Sequence, residues 1–278
     1  EIDNDTLKKY NSVGGKFGKT LKENLNCEGD CSSFRLDGKG RCSFLNENNL
    51  CDIILNLGED ALCQICSDHP RFSNHIGGHW ETGLGLCCEE ACRIILSQET
   101  KFSLEFLSED DFESSFSDDI PDFYSFRNSL FELLEDTSIT MEDKKQKLLI
   151  LTRYDFPEKT VSQWADIFLS LERLDDYWTI LLEELKETDI ESIVIPDEFN
   201  LYFINLMKYF IFRYLTDTNY DLGIILAVIS AYIISCLCKM HIKKYGELEF
   251  ENMVEYARMY SSEIEYSDEN IDEITYYL

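Results

Sequence analysis

Basic residues are scarce in this chain: 25 Lys and Arg stand against 54 Asp and Glu, a formal charge of −29. A surface so negative repels nucleic acid, and no local basic patch relieves it. It suits a basic ligand or a lysine-bearing partner, and it keeps the protein soluble. Proline is rare as well, four in 278 residues, while 44% of residues are hydrophobic and 13% aromatic. That balance excludes a disordered or fibrous class and is enough for one sizeable core or two smaller ones. Residues 1–9 are polar and charged and do not read as a signal peptide; residue 1 is Glu, so the numbered chain is expected to begin inside a longer gene product. No G-x-G-x-x-G segment follows a strand pattern, so a Rossmann-type nucleotide site is not visible. Gly14-Gly15-x2-Gly18-Lys19 lacks phosphate-loop spacing and reads as a turn before a helix.

Cysteine, by contrast, is abundant and clustered. Nine of the eleven lie between Cys27 and Cys92, together with three of the four histidines. Their spacing is Cys27-x3-Cys31-x10-Cys42-x8-Cys51-x11-Cys63-x2-Cys66, then Cys87-Cys88-x3-Cys92. An odd count without a secretory signal fits a reducing compartment, the cytoplasm, where clustered thiols are more often metal ligands than disulfides. Thiolates suit zinc or an iron–sulfur cluster. A four-cysteine zinc ribbon needs two paired C-x2-C knuckles and only one is present, which favours iron–sulfur. The C-x3-C-x2-C triplet of radical-type clusters is missing. Buried free thiols acting as small hydrophobes are the bland alternative. His69, His75 and His79 are either ordinary loop residues or part of a mixed Cys/His site. Arg71, after Pro70, offers a fork that can pair with Glu81, to brace the loop or to hold a substrate carboxylate.

The remaining pattern is helical, so the expected fold is mainly α: a loop-rich cysteine-cluster module over 1–98, an acidic connection with a short helix over 99–140, and a helical bundle over 141–278. Within the first part, 50–57 and 89–96 read as helices. Residues 104–123 carry eight acids and no base, a solvated connection or a docking strip for a basic partner. Thr140-Met-Glu-Asp143 and Thr160-Val-Ser-Gln163 look like capping boxes. Trp164, Ile167, Phe168, Leu171, Leu174, Trp178, Leu181 and Leu185 form one apolar stripe at helical spacing. Residues 222–238 are almost continuously apolar, at the lower limit for a membrane span; a helix buried inside a bundle explains them better. Near the end, Glu263, Tyr266 and Asn270 either line a site for a cationic amine or belong to a solvated helix end followed by an N-cap at Ser267 or Asp268.

Four stretches together resemble the flagellin lysine-N-methylases, within a wider group of cysteine-cluster proteins. They are Gly40-Arg-Cys-Ser-Phe-Leu45 with Asn49-Leu-Cys-Asp-Ile53, Leu62-Cys-Gln-Ile-Cys66 with Asp68-His-Pro-Arg71, Glu81 with Leu84-Gly-Leu-Cys-Cys-Glu-Glu-Ala91, and Tyr260-Ser-Ser-Glu-Ile-Glu-Tyr-Ser-Asp-Glu-Asn270. The resemblance implies methyl transfer from S-adenosylmethionine to lysine side chains of flagellin or another lysine-bearing protein, with a 4Fe-4S cluster. It implies Cys42, Cys51, Cys66 and Cys88 as metal ligands and Arg71 and Glu81 in a cofactor-binding constellation; Glu263, Tyr266 and Asn270 are the catalytic candidates, with Glu263, Glu265 or Tyr266 expected to help accept the amine. Cys63, Cys87 and Cys92 are then extras. His69 stands where the family pattern has Tyr, and Tyr266 where it has His. The family also places cysteines just upstream of a segment like Ile2-Asp3…Tyr10. The reading from another class is a non-enzymatic zinc or iron–sulfur protein for redox sensing, metal handling or partner docking.

Overall fold

The computed structural model describes residues 2–26, 32–38, 40–105, 120–154 and 158–277, and the backbone but not the side chains of Ile120 and Pro121. The chain is mainly helical and divides into two compact units, Glu1–His69 and Pro70–Leu278. Much of the acidic run, 106–119, lies outside the described residues, as do Cys27 and Cys31.

In the first unit, α1 (Asn4–Ser12) and α2 (Gly15–Glu23) are followed by a two-stranded pair, β1 (Leu25–Asn26) and β2 (Ser33–Phe34), and by short helices α3 (Asp52–Leu57) and α4 (Gln64–Asp68). Asp3 caps α1 through Thr6 N–H. The core is Ile2, Tyr10, Leu21, Leu25, Phe44, Ile53, Ala61 and Cys63. Tyr10 fits there because its hydroxyl donates to Ala61 O at 2.7 Å. The glycine cluster at 14–18 is a packing device. Gly15 has φ +74°, and a Cβ on Gly18 would stand 2.0 Å from Val13 O. The segment is a turn opening a helix, as the sequence reading expects.

The second unit opens with a hairpin the sequence reading did not anticipate, β3 (Arg71–Ile76) against β4 (His79–Leu84). Its two-residue loop is Gly77-Gly78, at φ +54° and +91°, a conformation that glycine adopts without strain. Helices follow: α5 (Glu89–Leu96), α6 (Ile120–Glu135), α7 (Met141–Ile150), α8 (Val161–Ser170), α9 (Asp176–Glu187), α10 (Asn200–Tyr214), α11 (Tyr220–Tyr245), α12 (Phe250–Tyr260) and α13 (Asp268–Tyr276). The hairpin and α5, grouped by the sequence reading with the cysteine module, belong to this helical unit. Thr160 forms a full capping box with Gln163, whereas Thr140 caps α7 through Asp143 N–H and donates its hydroxyl to the Asp143 carboxylate. The stripe from Trp164 to Leu185 is two helices, broken at 171–175, and Leu174 is 72% exposed. Asp175 caps α9 through Tyr177 N–H.

The long apolar segment is α11, 26 residues, antiparallel to α10 through the turn at Thr216–Asn219. It is long and apolar enough to cross a membrane, yet 83% of its most apolar window is covered by the protein itself. That is the environment of a central bundle helix. Gly223 allows the approach of α10 and α11: a Cβ there would meet Leu215 N at 2.5 Å.

Candidate functional site

The cysteines fall into separate groups. Cys42, Cys51, Cys63 and Cys66 belong to the first unit, and Cys87, Cys88 and Cys92 to the second. Cys63 is fully buried, and Cys42 and Cys51 pack against the same core. Cys66 is exposed as a residue, but partial burial of its thiol, a hydrogen bond with Cys63 and the charges of Cys63, Cys42 and Cys51 push it up to about 12. Four soft donors therefore share one neighbourhood, and their chemistry suits zinc or iron–sulfur. They do not close into a cage: among the described residues, no three His, Cys, Asp or Glu side chains form a group that could hold a metal ion. All nine described cysteines are free thiols.

The hairpin corrects two sequence expectations. In its register Arg71 faces Leu84 and Asn74 faces Glu81, so the strand alternation puts Arg71 and Glu81 on opposite faces. Arg71 lies on the exposed face. Glu81 turns inward and receives both oxygens' hydrogen bonds from Arg127 of α6, at 2.6 and 2.8 Å. His75 and His79 likewise sit on opposite faces, with His75 against the Trp80 ring at 5.1 Å, so these two do not converge.

A second polar centre is built where α12 ends. Ser261–Glu265 form one turn of π-helix, a widened turn that often marks a functional site. Within it Glu263 and Glu265 are both buried. Glu265 Oε2 accepts from Tyr209 OH at 2.8 Å and Tyr214 OH at 3.1 Å, and lies 3.1 Å from Arg213 Nη1. Tyr209 OH in turn accepts from Arg213 at 2.7 Å and from Leu86 N–H at 3.3 Å. Burial pushes the Glu265 carboxyl up, against the pull of Arg213 and its hydroxyl donors. Burial also raises Tyr209 and Tyr214 well above an ordinary phenol, so both are neutral donors at neutral pH.

The outer edge of this centre is Tyr266, 52% exposed, whose hydroxyl lies 2.8 Å from Cys87 Sγ. The Arg213 guanidinium stacks over the rings of Phe72, Tyr214 and Tyr266 at 4.8, 5.3 and 5.3 Å. Gly85 keeps the contact tight, since a Cβ there would stand 2.8 Å from Tyr266 OH. Burial raises the Tyr266 phenol to about 12 and also raises the Cys87 thiol. An apolar cleft of about 230 Å³ shares the Tyr209 wall, lined also by Leu84, Ile95, Phe102 and Phe212.

Glu263 and Asn270 stand apart from that centre. Glu263 accepts from Leu174 N–H at 2.8 Å and Asp175 N–H at 2.9 Å, the groups bared by the break between α8 and α9. Asn270 accepts from Glu172 N–H at 2.9 Å and donates to Glu172 O and Glu263 O at 2.9 and 2.8 Å. Both clamp the π-turn to the 171–175 turn. Ser267 is the N-cap of α13, as the sequence reading allows. Asn270→Ala should therefore destabilise the protein by about 2–3 kcal/mol, three backbone partners being left to solvent or to nothing. Urea unfolding measures it; a loss under about 0.5 kcal/mol would show that the clamp carries little. Arg213, Tyr209 and Arg127 escape a reading by motif, because each sits in a helix whose spacing marks it only as core.

No protein-family model, no curated protein and no solved structure matches this chain. Fold and site define a two-unit helical protein with a thiol-rich first unit and a buried carboxylate–arginine–tyrosine centre in the second.

Proposed function

We propose that this chain is a protein-lysine N-methyltransferase that takes the methyl group from S-adenosylmethionine, acts on flagellin or another lysine-bearing protein in the cytoplasm, and carries an iron–sulfur cluster on cysteine thiolates. One observation carries the reading. Two of the stretches that resemble flagellin lysine-N-methylases, 84–91 and 260–270, meet at the 2.8 Å contact between Cys87 and Tyr266. They meet at the rim of a buried polar centre.

The chemistry asks for such a rim. A lysine ammonium has a reference pKa of about 10.4 and must lose a proton before it can attack a methyl group. The proton leaves to water; the nitrogen then forms a bond to the methyl carbon while the carbon–sulfur bond of the sulfonium donor breaks, leaving a thioether. Tyr266 is exposed and presents a neutral phenol to an incoming amine. Arg213 fixes that ring, and Glu265 with Tyr209 fixes Arg213. The negative surface draws basic segments towards the protein. The apolar cleft behind Tyr209 offers room for part of the donor beside the same residues. Cluster binding is supported by thiol chemistry and by the resemblance, which proposes Cys42, Cys51, Cys66 and Cys88 as ligands; Cys42, Cys51 and Cys66 share the thiol neighbourhood of the first unit.

The test is methylation of purified flagellin by anaerobically prepared, metal-analysed protein, read by mass spectrometry. Methyl-sized mass increments on lysine are expected with the donor present. Tyr266→Ala should lower the rate at least about tenfold, the size of one lost positioning contact. Cys51→Ser should lower bound iron. Protein that carries its metal and leaves flagellin unchanged would overturn the enzymatic reading. The thiol neighbourhood of Cys42, Cys51, Cys63 and Cys66 would then favour the non-enzymatic metal-binding reading.

A further inference from the structure

A second cleft, of about 160 Å³, opens between α9, α11 and α12, and nothing in the proposed reaction uses it. Its volume is close to that of the engineered cavities, about 150 Å³, that hold a benzene-sized molecule. Aromatic rings surround it: Tyr177, His241, Tyr245 and Tyr256. The His241 ring lies 4.6 Å from that of Tyr245 and 5.9 Å from that of Tyr256, at 47° and 68°, so the rings present faces in different directions. His241 Nδ1 and Tyr256 OH hold each other at 2.8 Å, fixing two of the walls. Tyr177 and Tyr245 are 50% and 61% exposed and form the rim.

The charges around these rings select the ligand. Glu184 and Glu255 are the acids of the lining and Lys244 is its permanent cation; with Arg258, which pairs with Glu255, the charges of the wall balance. Burial and Lys244 lower the His241 pKa, which leaves its ring uncharged at neutral pH. The cleft already receives one ammonium: Lys244 Nζ lies 2.6 Å from Glu184 and 5.3 Å from the Tyr245 ring centre. Yet the carboxylates are taken. Glu184 is paired with Lys244, and both oxygens of Glu255 accept from Arg258, at 2.7 and 2.9 Å. A bare ammonium entering from water would lose hydration without gaining a free carboxylate. An alkylated ammonium is weakly hydrated, needs no hydrogen-bond acceptor and binds aromatic faces.

We propose that the α9–α11–α12 cleft is an aromatic cage for methylated ammonium groups, with the methylated lysine side chain of a polypeptide as its ligand class. The cage and the transfer centre are separate sites. If the methyltransferase reading holds, the cage retains product; if that reading fails, the cage still reads methyl-lysine.

The experiment needs neither methyl donor nor metal turnover. The purified full chain is titrated with N-acetyl-trimethyl-lysine amide and, separately, with the unmethylated lysine amide, by calorimetry. The trimethylated probe should bind at least about tenfold more tightly, because it loses less hydration on entering the aromatic cleft. Tyr245→Ala and Tyr177→Ala, both at exposed positions, should each weaken it several-fold, while Tyr245→Phe should keep it. Equal affinity for the two probes, no binding of the trimethylated one, or binding unchanged in both alanine variants would each overturn the proposal. Because wild-type methylation of flagellin is measured separately, loss of either result is distinguishable from loss of the other.

Discussion

Arg127→Ala should destabilise the protein by about 3–5 kcal/mol, the usual cost of leaving one partner of a buried ion pair alone. The Arg127 and Glu81 side chains are 1% and 6% exposed, and their two hydrogen bonds are of the paired, fork-to-carboxylate kind. The guanidinium is further enclosed by the rings of Phe123, Tyr124 and Phe212, at 5.2, 5.2 and 5.4 Å. Without it the Glu81 carboxylate is left buried with no cation, and the Tyr124 hydroxyl is a neutral partner only. Glu81→Ala should cost a similar amount, for the mirror-image reason. The decisive variant is the double one, Glu81→Leu with Arg127→Met, which removes both charges and refills the volume. It should recover most of the loss, because apolar replacement of a whole buried pair is often neutral. Urea unfolding of the three variants at fixed pH gives the answer. Single variants within about 1 kcal/mol of wild type would mean that water reaches the pair.

Arg213→Ala should produce the second large loss, and this one should depend on pH. At neutral pH it leaves Glu265 buried with no cationic partner, again about 3–5 kcal/mol. Burial already holds the Glu265 carboxyl above its ordinary value of 4.5. A carboxyl whose folded pKa is raised binds its proton more tightly folded than unfolded. Its contribution to stability is then fully present below the unfolded value and is lost as pH rises through the folded one. Removing Arg213 takes away the main opposing pull and moves that folded value further up. Stability of Arg213→Ala should therefore fall more steeply than wild type as pH rises from about 4.5 towards neutral. Adding Glu265→Gln should flatten the difference. Chemical unfolding at several pH values reads the slope; a parallel offset at every pH would show that Glu265 does not titrate there.

The helical character of the chain was legible because apolar residues recur at three- and four-residue intervals over α8 to α12, a signal that depends on nothing outside each helix. Its failures have physical causes. Leu171 and Leu174 keep the period across 171–175, but the N–H groups there go to Glu263, about ninety residues later, and no local pattern carries that information. The hairpin over 71–84 was hidden because its inward face sets Asn74, His79, Glu81 and Gly83 beside Phe72 and Ile76, so no apolar alternation marks it; Gly77-Gly78 was the available sign. Of the candidate site, Tyr266 and Cys87 meet, while Glu263 and Asn270 proved to be clamps. Glu81 lies in the core of the second unit, and its partner is Arg127 rather than Arg71. Long-range pairing of charges is set by packing, and spacing along the chain does not record it.

The covering of α11 also bears on how the protein is made. Its apolar surface runs all round the helix; α7, α9 and α10 precede it and cover part of it, while α12, which covers another part, emerges from the ribosome only afterwards. During that interval the nascent chain displays a segment that membrane-targeting factors and chaperones select for. Early closure of the α10–α11 pair, joined by a turn of few residues, shortens the exposure. Gly223, which permits that closure, is thus as much a safeguard of synthesis as a detail of packing.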